Sequence, residues 1–270
     1  MNVISFNCNS IRPRLHQLAS IISRYQPDII GLQETKAQDD DFPQQAITEL
    51  GYQSVFYGQK THYGVAILYR DINLLKVDKG FPDDTDDSQR RYIAAQFESP
   101  FGGQLNIINA YFPQGETRDH PQKFANKKAF YAGALAQLQK NYHPTSQLIV
   151  MGDMNVAPDD RDIGIGEDSR KRWLRTGKCS FLPEERQWLR AIYDWGLEDT
   201  YRKHYPDSND KFSWFDYRSR GFEREPKRGL RIDFILASQS LLKKCTAAGI
   251  DYEIRSMDKP SDHCPVWAAF

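Results

Sequence analysis

The chain predicts an α/β layer fold, and three observations carry that prediction. Residues 3–34 read as strand, helix, strand. Leu148-Ile149-Val150-Met151 is an unbroken apolar run, too short for a helix, and reads as a strand buried on both faces. Further segments rich in aromatic and β-branched residues alternate with helical patterns, and no Pro/Gly/Ser-rich linker, low-complexity tract or internal repeat divides them. A single domain over residues 1–270 is expected.

Val3-Ile4-Ser5-Phe6 is a short strand that runs into Asn7-Cys8-Asn9-Ser10. Pro13 opens a helical pattern with Leu15, Leu18, Ile21 and Ile22 on one face, up to about Tyr25. Pro27-Asp28 breaks it. Ile29-Ile30-Gly31-Leu32 is the next strand, with Gln33-Glu34-Thr35 at its end, so Asn7 and Glu34 occupy comparable strand ends. Residues 42–50 read as a short helix, and residues 52–57 and 63–69 as strands. Residues 83–87 form an acidic, solvated loop. Arg90-Arg91 precedes a strand over 92–97, and Gly102-Gly103 turns into a strand over 104–110 that ends at Tyr111, ahead of Pro113-Gln114-Gly115. Residues 123–142 are helical, with Phe130, Leu135 and Leu138 facing the core.

The strand through Val150 stops at Gly152, and Asp153 and Asn155 follow with one residue between them. In strand-like backbone both point the same way from one strand end. Gly, Asp and Asn are also common turn formers, so the stretch alone leaves a plain turn open. Residues 159–167 read as a loop leading into Arg170-Lys171-Arg172-Trp173-Leu174-Arg175-Thr176-Gly177-Lys178, the densest basic cluster. A helix opens at Pro183 and closes at Gly196. Phe212-Ser213-Trp214-Phe215-Asp216-Tyr217 lies within a second basic group, Arg218, Arg220, Arg224, Lys227, Arg228 and Arg231. Aromatics beside arginines suit a nucleic-acid surface and equally an ordinary sheet edge. A strand over 231–237 carries Asp233, and Ser261-Asp262-His263-Cys264-Pro265 precedes the closing strand.

Lys+Arg and Asp+Glu both number 36, so a nucleic-acid partner must be held by local basic clusters rather than a global polycation. Cys8, Cys179, Cys245 and Cys264 show no C-x-x-C pair, which fits a reduced cytoplasmic protein and argues against both a disulfide frame and a Cys-rich zinc site. The first ten residues show no secretory pattern, and no run is long enough to span a membrane.

Polar groups recur at strand ends: Asn7, Glu34, Tyr111, Asp153, Asn155, Asp233, Asp262 and His263. Each alone has a structural explanation. Together, carboxylates and amides with one histidine and no thiolate suit a hard cation, Mg²⁺ or Mn²⁺. Asp233 is placed to fix the tautomer of His263. The set is what metal-assisted phosphodiester hydrolysis needs: a group to activate water, and a cation and an imidazole to meet charge on phosphate.

Phe6-Asn7, Leu32-Gln33-Glu34-Thr35, Asn109-Ala110-Tyr111-Phe112-Pro113, Gly152-Asp153-Met154-Asn155, Ile232-Asp233-Phe234 and Ser261-Asp262-His263-Cys264-Pro265-Val266 resemble, in order, the signature of the endonuclease/exonuclease/phosphatase superfamily. Gly58-Gln59-Lys60, Phe112-Pro113-Gln114-Gly115-Glu116, Asp162-Ile163-Gly164-Ile165-Gly166-Glu167 and the stretches 172–181 and 212–218 resemble its bacterial abasic-site endonuclease branch. The resemblance implies a four-layer α/β sandwich, two packed mixed β-sheets flanked by helices, with the site at one edge. It implies Glu34 as the direct Mg²⁺ ligand, with Asn7 and Asp262 near the metal. Asp153 would activate water or serve the leaving group, and His263, oriented by Asp233, would stabilise the phosphate with Tyr111 and Asn155. Trp214 and Leu230 would line the pocket for a base-less sugar, while Gln114, Arg91, Lys123, Arg175, Lys178 and Arg218 would contact double-stranded DNA. The implied activities are incision 5′ to abasic sites, 3′–5′ exonuclease and removal of blocking groups from 3′ ends, by a monomer associated with the bacterial nucleoid. A 3′-end-trimming paralogue, a binding-only regulator and a lipid- or inositol-phosphate hydrolase are the alternatives. Ser10, Cys8 and Cys264 depart from the pattern, and two thiols beside the site predict sensitivity to oxidation.

Overall fold

The computed structural model describes residues 1–270. Its strands are β1 (Asn2–Asn7), β2 (Ile29–Gln33), β3 (Gln53–Tyr57), β4 (Val65–Tyr69), β5 (Leu74–Lys79) and β6 (Tyr92–Glu98). There follow β7 (Gln104–Tyr111), β8 (Gln147–Asp153), β9 (Leu197–Asp199), β10 (Asp233–Ser238), β11 (Ala247–Ile250) and β12 (Val266–Ala269). They form two six-stranded sheets, in the orders β11-β12-β1-β2-β4-β3 and β5-β6-β7-β8-β10-β9.

Each sheet contains one parallel pair, β1 with β2 and β7 with β8; every other pairing is antiparallel. Parallel neighbours need a crossover, and a helix supplies it in each case: Leu15–Tyr25 in the first sheet and Lys123–Asn141 in the second. The first helix carries Leu18, Ile21 and Ile22 on its inner face, as its spacing predicts. It ends where Gln26 takes a left-handed conformation (φ 43°) and its amide caps the Ile22 carbonyl.

Alternation along the strands explains the layers. Val3, Ile29, Ile107, Ile149 and Ile235 pack sheet on sheet. Their neighbours Ile4 and Ile30 turn outward to Leu18, Ile21 and Ile22. Leu148, Val150 and Leu236 turn outward to Tyr131, Leu138, Leu189 and Ile192 on the helices of the second sheet. A strand buried on both faces loses the polar half of its alternation, which is why residues 148–151 read as a continuous apolar run. Each such side chain contributes about 1.5–3 kcal/mol relative to exposure. The result is the expected four layers, helix–sheet–sheet–helix.

The structure adds elements that periodicity does not reveal. Edge strand β5 is largely exposed, β9 has three residues, and β11 contains Gly249. The loop expected over 159–167 holds a short 3₁₀ turn, Asp160–Asp162, and the basic stretch after it is the helix Glu167–Arg175. No helix is long and apolar enough to cross a membrane.

Candidate active site

Sheet register assembles the predicted residues. Tyr111, Asp153 and Asp233 are cross-strand neighbours at one end of β7, β8 and β10. Asn7 ends β1 opposite Gln33 of β2, and Glu34 follows at once in a left-handed conformation (φ 51°). Asn7, Tyr111, Asp153 and Asp233 lie on the face that packs sheet on sheet, an even number of residues from Val3, Ile107, Ile149 and Ile235. Gly152 is required just before Asp153. Its φ is +143°, and a Cβ there would stand 1.9 Å from the Ala110 carbonyl oxygen of β7.

The amide of Asn7 bridges two carboxylates, donating to Glu34 Oε1 and to Asp153 Oδ2, each at 2.9 Å. Asp153 also accepts the Asn155 backbone amide at 2.9 Å and its side-chain Nδ2 at 3.1 Å. Asn155 (φ 53°) is fixed in turn by a 3.0 Å bond to the Phe112 carbonyl. His263 Nδ1 meets Asp233 at 2.9 Å, and its Nε2 faces Asp153 Oδ2 at 3.8 Å. Ser213 Oγ accepts the Asp233 amide at 3.0 Å, and Ser261 Oγ donates to the Asn7 carbonyl at 2.7 Å. The last bond ties the His263 loop to β1.

Burial and neighbouring charge set the protonation of this group. Asp153 is pushed up to about 8, first by burial and then by the charges of Asp233 and Glu34. Burial opposes the charge on His263, but Asp233 and Asp153 carry it up to about 10. Burial also works to raise Glu34, yet the Lys36 ammonium, 3.0 Å from Oε2, and the Asn7 amide hold it below its ordinary value. Burial drives the Tyr111 phenol well above its usual range, with Glu34 adding to the effect. Metal-ligating atoms of Glu34, Asp153 and His263 lie within 4.8 Å of one another, so these three could hold a cation. Asn7 and Asp262 flank them. Asp262 accepts from Asn9 Nδ2 at 2.8 Å and from Trp214 Nε1 at 3.0 Å.

A cavity of about 380 Å³ opens over the cluster, and Gln114, Lys178, Trp214 and Arg218 line it with Glu34, Tyr111, Asp153, Asn155, Asp262 and His263. Trp173, Ser180, Asp216 and Ile232 line it too, and sequence reasoning missed them as site residues. Lys36 and Asn9 were also missed, although Lys36 stands only two residues after Glu34. Lys178 lies with Nζ 3.8 Å from the Trp173 ring centroid.

Other placements differ from expectation. Leu230 is 1% exposed and packs with Trp173, Phe181 and Ile232, while its backbone exchanges hydrogen bonds with Trp214; it supports the tryptophan from beneath. Arg91 is 6% exposed, stacked between two tyrosines, and does not line the cavity. Arg231 belongs to no basic surface. It is buried and paired with Asp162 at 2.6 Å and Asp199 at 2.6 Å. Lys123 binds Glu116 on the outer surface, and Arg175 is exposed; neither reaches the cavity. The expectation of oxidation sensitivity meets two thiols whose burial disfavours the thiolate. Cys8 and Cys264 are fully buried, and burial pushes Cys8 up to about 12 and Cys264 well above the ordinary thiol range.

The pattern of the endonuclease/exonuclease/phosphatase family matches residues 4–263. Exodeoxyribonuclease III of Haemophilus influenzae is 54% identical over 270 residues, covering 100% of both chains. An AP endonuclease of Archaeoglobus fulgidus superposes with a TM-score of 0.89 at 32% identity, covering 100% of this chain and 99% of that one. A 3′ phosphatase of Neisseria, solved with a product DNA hairpin, gives a TM-score of 0.88 at 35% identity over 100% of this chain and 99% of that one. With carboxylates, amide, phenol and imidazole gathered at one sheet edge and a match along nearly the whole sequence, the chain belongs to the endonuclease/exonuclease/phosphatase family.

Proposed function

We propose that the chain is a Mg²⁺-dependent DNA repair hydrolase that incises 5′ to abasic sites, with 3′–5′ exonuclease and 3′-phosphatase activity at the same centre. The observation that carries this reading is the convergence of Glu34, Asp153 and His263, within 4.8 Å of one another, beneath a cavity walled by Trp214, Lys178 and Arg218. The relatives described above are named for exonuclease, AP endonuclease and 3′ phosphatase activities.

The donor set fits a hard divalent cation. Glu34, with the oxygens of Asn7 and Asp262 near it, offers hard donors without a thiolate, and a cation there would ease the burial and carboxylate repulsion that raise Asp153. Glu34 would hold the cation directly, with Asn7 and Asp262 beside it, and Mn²⁺ would serve in place of Mg²⁺. When bound, the cation supplies Lewis-acid stabilisation of charge on phosphate oxygens.

The chain's own groups do the rest. Asp153 takes the proton of the attacking water from its carboxylate form, which His263 and the Asn7 amide favour against burial. Asn7 and Asn155 hold its oxygens, so it faces the substrate in one orientation. His263, with Nδ1 committed to Asp233, presents Nε2–H to the phosphate as negative charge grows there. Tyr111 donates its phenolic proton toward the same oxygens, since burial keeps it protonated. Trp214, anchored by Asp262, walls the cavity that would receive a base-less sugar. Gln114, Lys178 and Arg218 contact phosphates at the rim, and Lys123 and Arg175 extend the basic surface outward.

The similarity to the Neisseria 3′ phosphatase favours one second reading, an enzyme confined to 3′-end trimming. Both readings meet one test: a duplex oligonucleotide with a single abasic analogue, and another with a 3′-phosphate, each with Mg²⁺ or EDTA, using the parent and Asp153→Asn. Mg²⁺-dependent incision 5′ of the lesion, lost in the variant, is expected. Phosphate removal without incision selects the trimming enzyme. Neither reaction, with duplex still bound, overturns both.

A further inference from the structure

Arg91 holds Tyr111, the phenol of the cluster, through both its ring and its backbone. Its guanidinium carbon lies 4.4 Å from the centroid of the Tyr111 ring and 4.1 Å from that of Tyr63. Its Nη1 donates to the Tyr111 carbonyl at 3.1 Å, and its own carbonyl accepts the Tyr111 amide at 2.8 Å. Nε donates to Gln89 Oε1 at 2.6 Å. Ring face, backbone N–H and backbone C=O of Tyr111 are thus all held by one residue. Tyr63 extends the contact to the other sheet, because its carbonyl accepts the Lys36 amide at 2.9 Å, two residues from Glu34.

These contacts engage Arg91 through Nε and Nη1, and only 6% of the residue is exposed. A planar guanidinium can stack on an aromatic face and still donate in its own plane; an ammonium cannot do both. Tyr111 is the last residue of β7, where the strand's own ladder stops constraining it. We propose that Arg91 is a positioning residue: it clamps Tyr111, and through Tyr63 the Glu34 turn, so that the phenol meets the phosphate. The inference rests on the role given to Tyr111 above.

The test is a double-mutant cycle on the abasic-site duplex with Mg²⁺, using Arg91→Met, Tyr111→Phe, the double variant and Arg91→Lys, over a range of salt concentrations. A clamp acting through Tyr111 predicts a loss in kcat on the order of 10–100-fold for Arg91→Met, with KM within about twofold. It predicts an unchanged salt slope, and a double variant no slower than Tyr111→Phe alone. Arg91→Lys keeps a buried cation and so serves if Arg91→Met melts below the assay temperature; it shows the same kcat loss, because charge alone does not restore the stack. If the losses multiply, or KM rises and the salt slope falls by about one, Arg91 grips phosphate and the clamp is wrong. If Tyr111→Phe keeps the parent's kcat, the role of Tyr111 falls and the inference with it.

Discussion

Lys127 and Glu185 form an ion pair with no exposed side-chain surface on either partner, and the pair makes a quantitative prediction. Lys127 Nζ meets Glu185 Oε1 at 2.5 Å and also donates to the carbonyls of Asn155 at 2.9 Å and Gln114 at 3.2 Å. Glu185 Oε2 accepts the amides of Ser180 and Leu182, each at 2.8 Å. Four loop positions that line or border the cavity thus converge on two charges. Lys127→Met keeps most of the volume but leaves a buried carboxylate unpaired, which costs about 3–5 kcal/mol. Against a total stability of about 5–15 kcal/mol, that is a large fraction.

Adding Glu185→Gln removes the orphaned charge and keeps an oxygen for the Ser180 and Leu182 amides. The double variant should therefore recover about 1–4 kcal/mol of the loss. Urea unfolding followed by tryptophan fluorescence reports both numbers, since the chain carries five tryptophans. A Lys127→Met cost under about 1 kcal/mol would falsify the claim that the pair is desolvated. A double variant as unstable as the single would show that lost hydrogen bonds, rather than an unpaired charge, set the cost.

Two further perturbations test the site. His263 is raised from an ordinary 6.5 to about 10, so its contribution to stability is fully present below pH 6.5 and is lost as pH rises through about 10. In EDTA, the stability difference between the parent and His263→Gln should shrink across that window; a constant difference sinks the assignment of the charge. Gly152→Ala places a Cβ 1.9 Å from the Ala110 carbonyl oxygen, in backbone that cannot yield without moving β7 against β8. Melting should fall, and activity should fall by more than about 100-fold as Tyr111 and Asp153 separate; a variant with the parent's melting temperature and kcat would contradict the register argument.

Much of this was legible in the sequence because buried parallel strands announce themselves. Residues 29–32 and 148–151 are apolar on both faces, and the first carboxylates after them, Glu34 and Asp153, are in the cluster. The unread parts have physical causes. An exposed edge such as β5 carries no alternation, and a strand as short as β9 gives no period to count. Charge was misread where burial was invisible: Arg231 and Arg91 look like phosphate grips in a list of basic residues, yet one answers Asp162 and Asp199, and the other Tyr63 and Tyr111. Lys127 and Glu185 stand 58 residues apart, with no pattern to pair them.

The placement of the site follows from the two crossovers. A parallel pair linked by a helix brings the carboxyl ends of both strands to one edge, and ligands collect outside such ends. Asn7, Glu34, Tyr111 and Asp153 come from those four ends. The antiparallel neighbours β10 and β12 run the other way, so Asp233 and His263 reach the same edge from strand beginnings. Along the layer between the sheets, side chains change in register from Val3, Ile29, Ile107 and Ile149 to Ser5, Gln33 and Asn109, and then to the ionisable cluster. Asn109 donates to the carbonyls of Leu32 and Ala66 at 2.9 and 2.8 Å, and Gln33 donates to Asn109 at 2.6 Å, so an amide layer joins the sheets just below the site. Gly31 makes this approach possible, since a Cβ there would stand 2.9 Å from Asn109 Oδ1. That layer grades a dry core into a polar edge, so carboxylates are held rigidly while one side remains open to substrate.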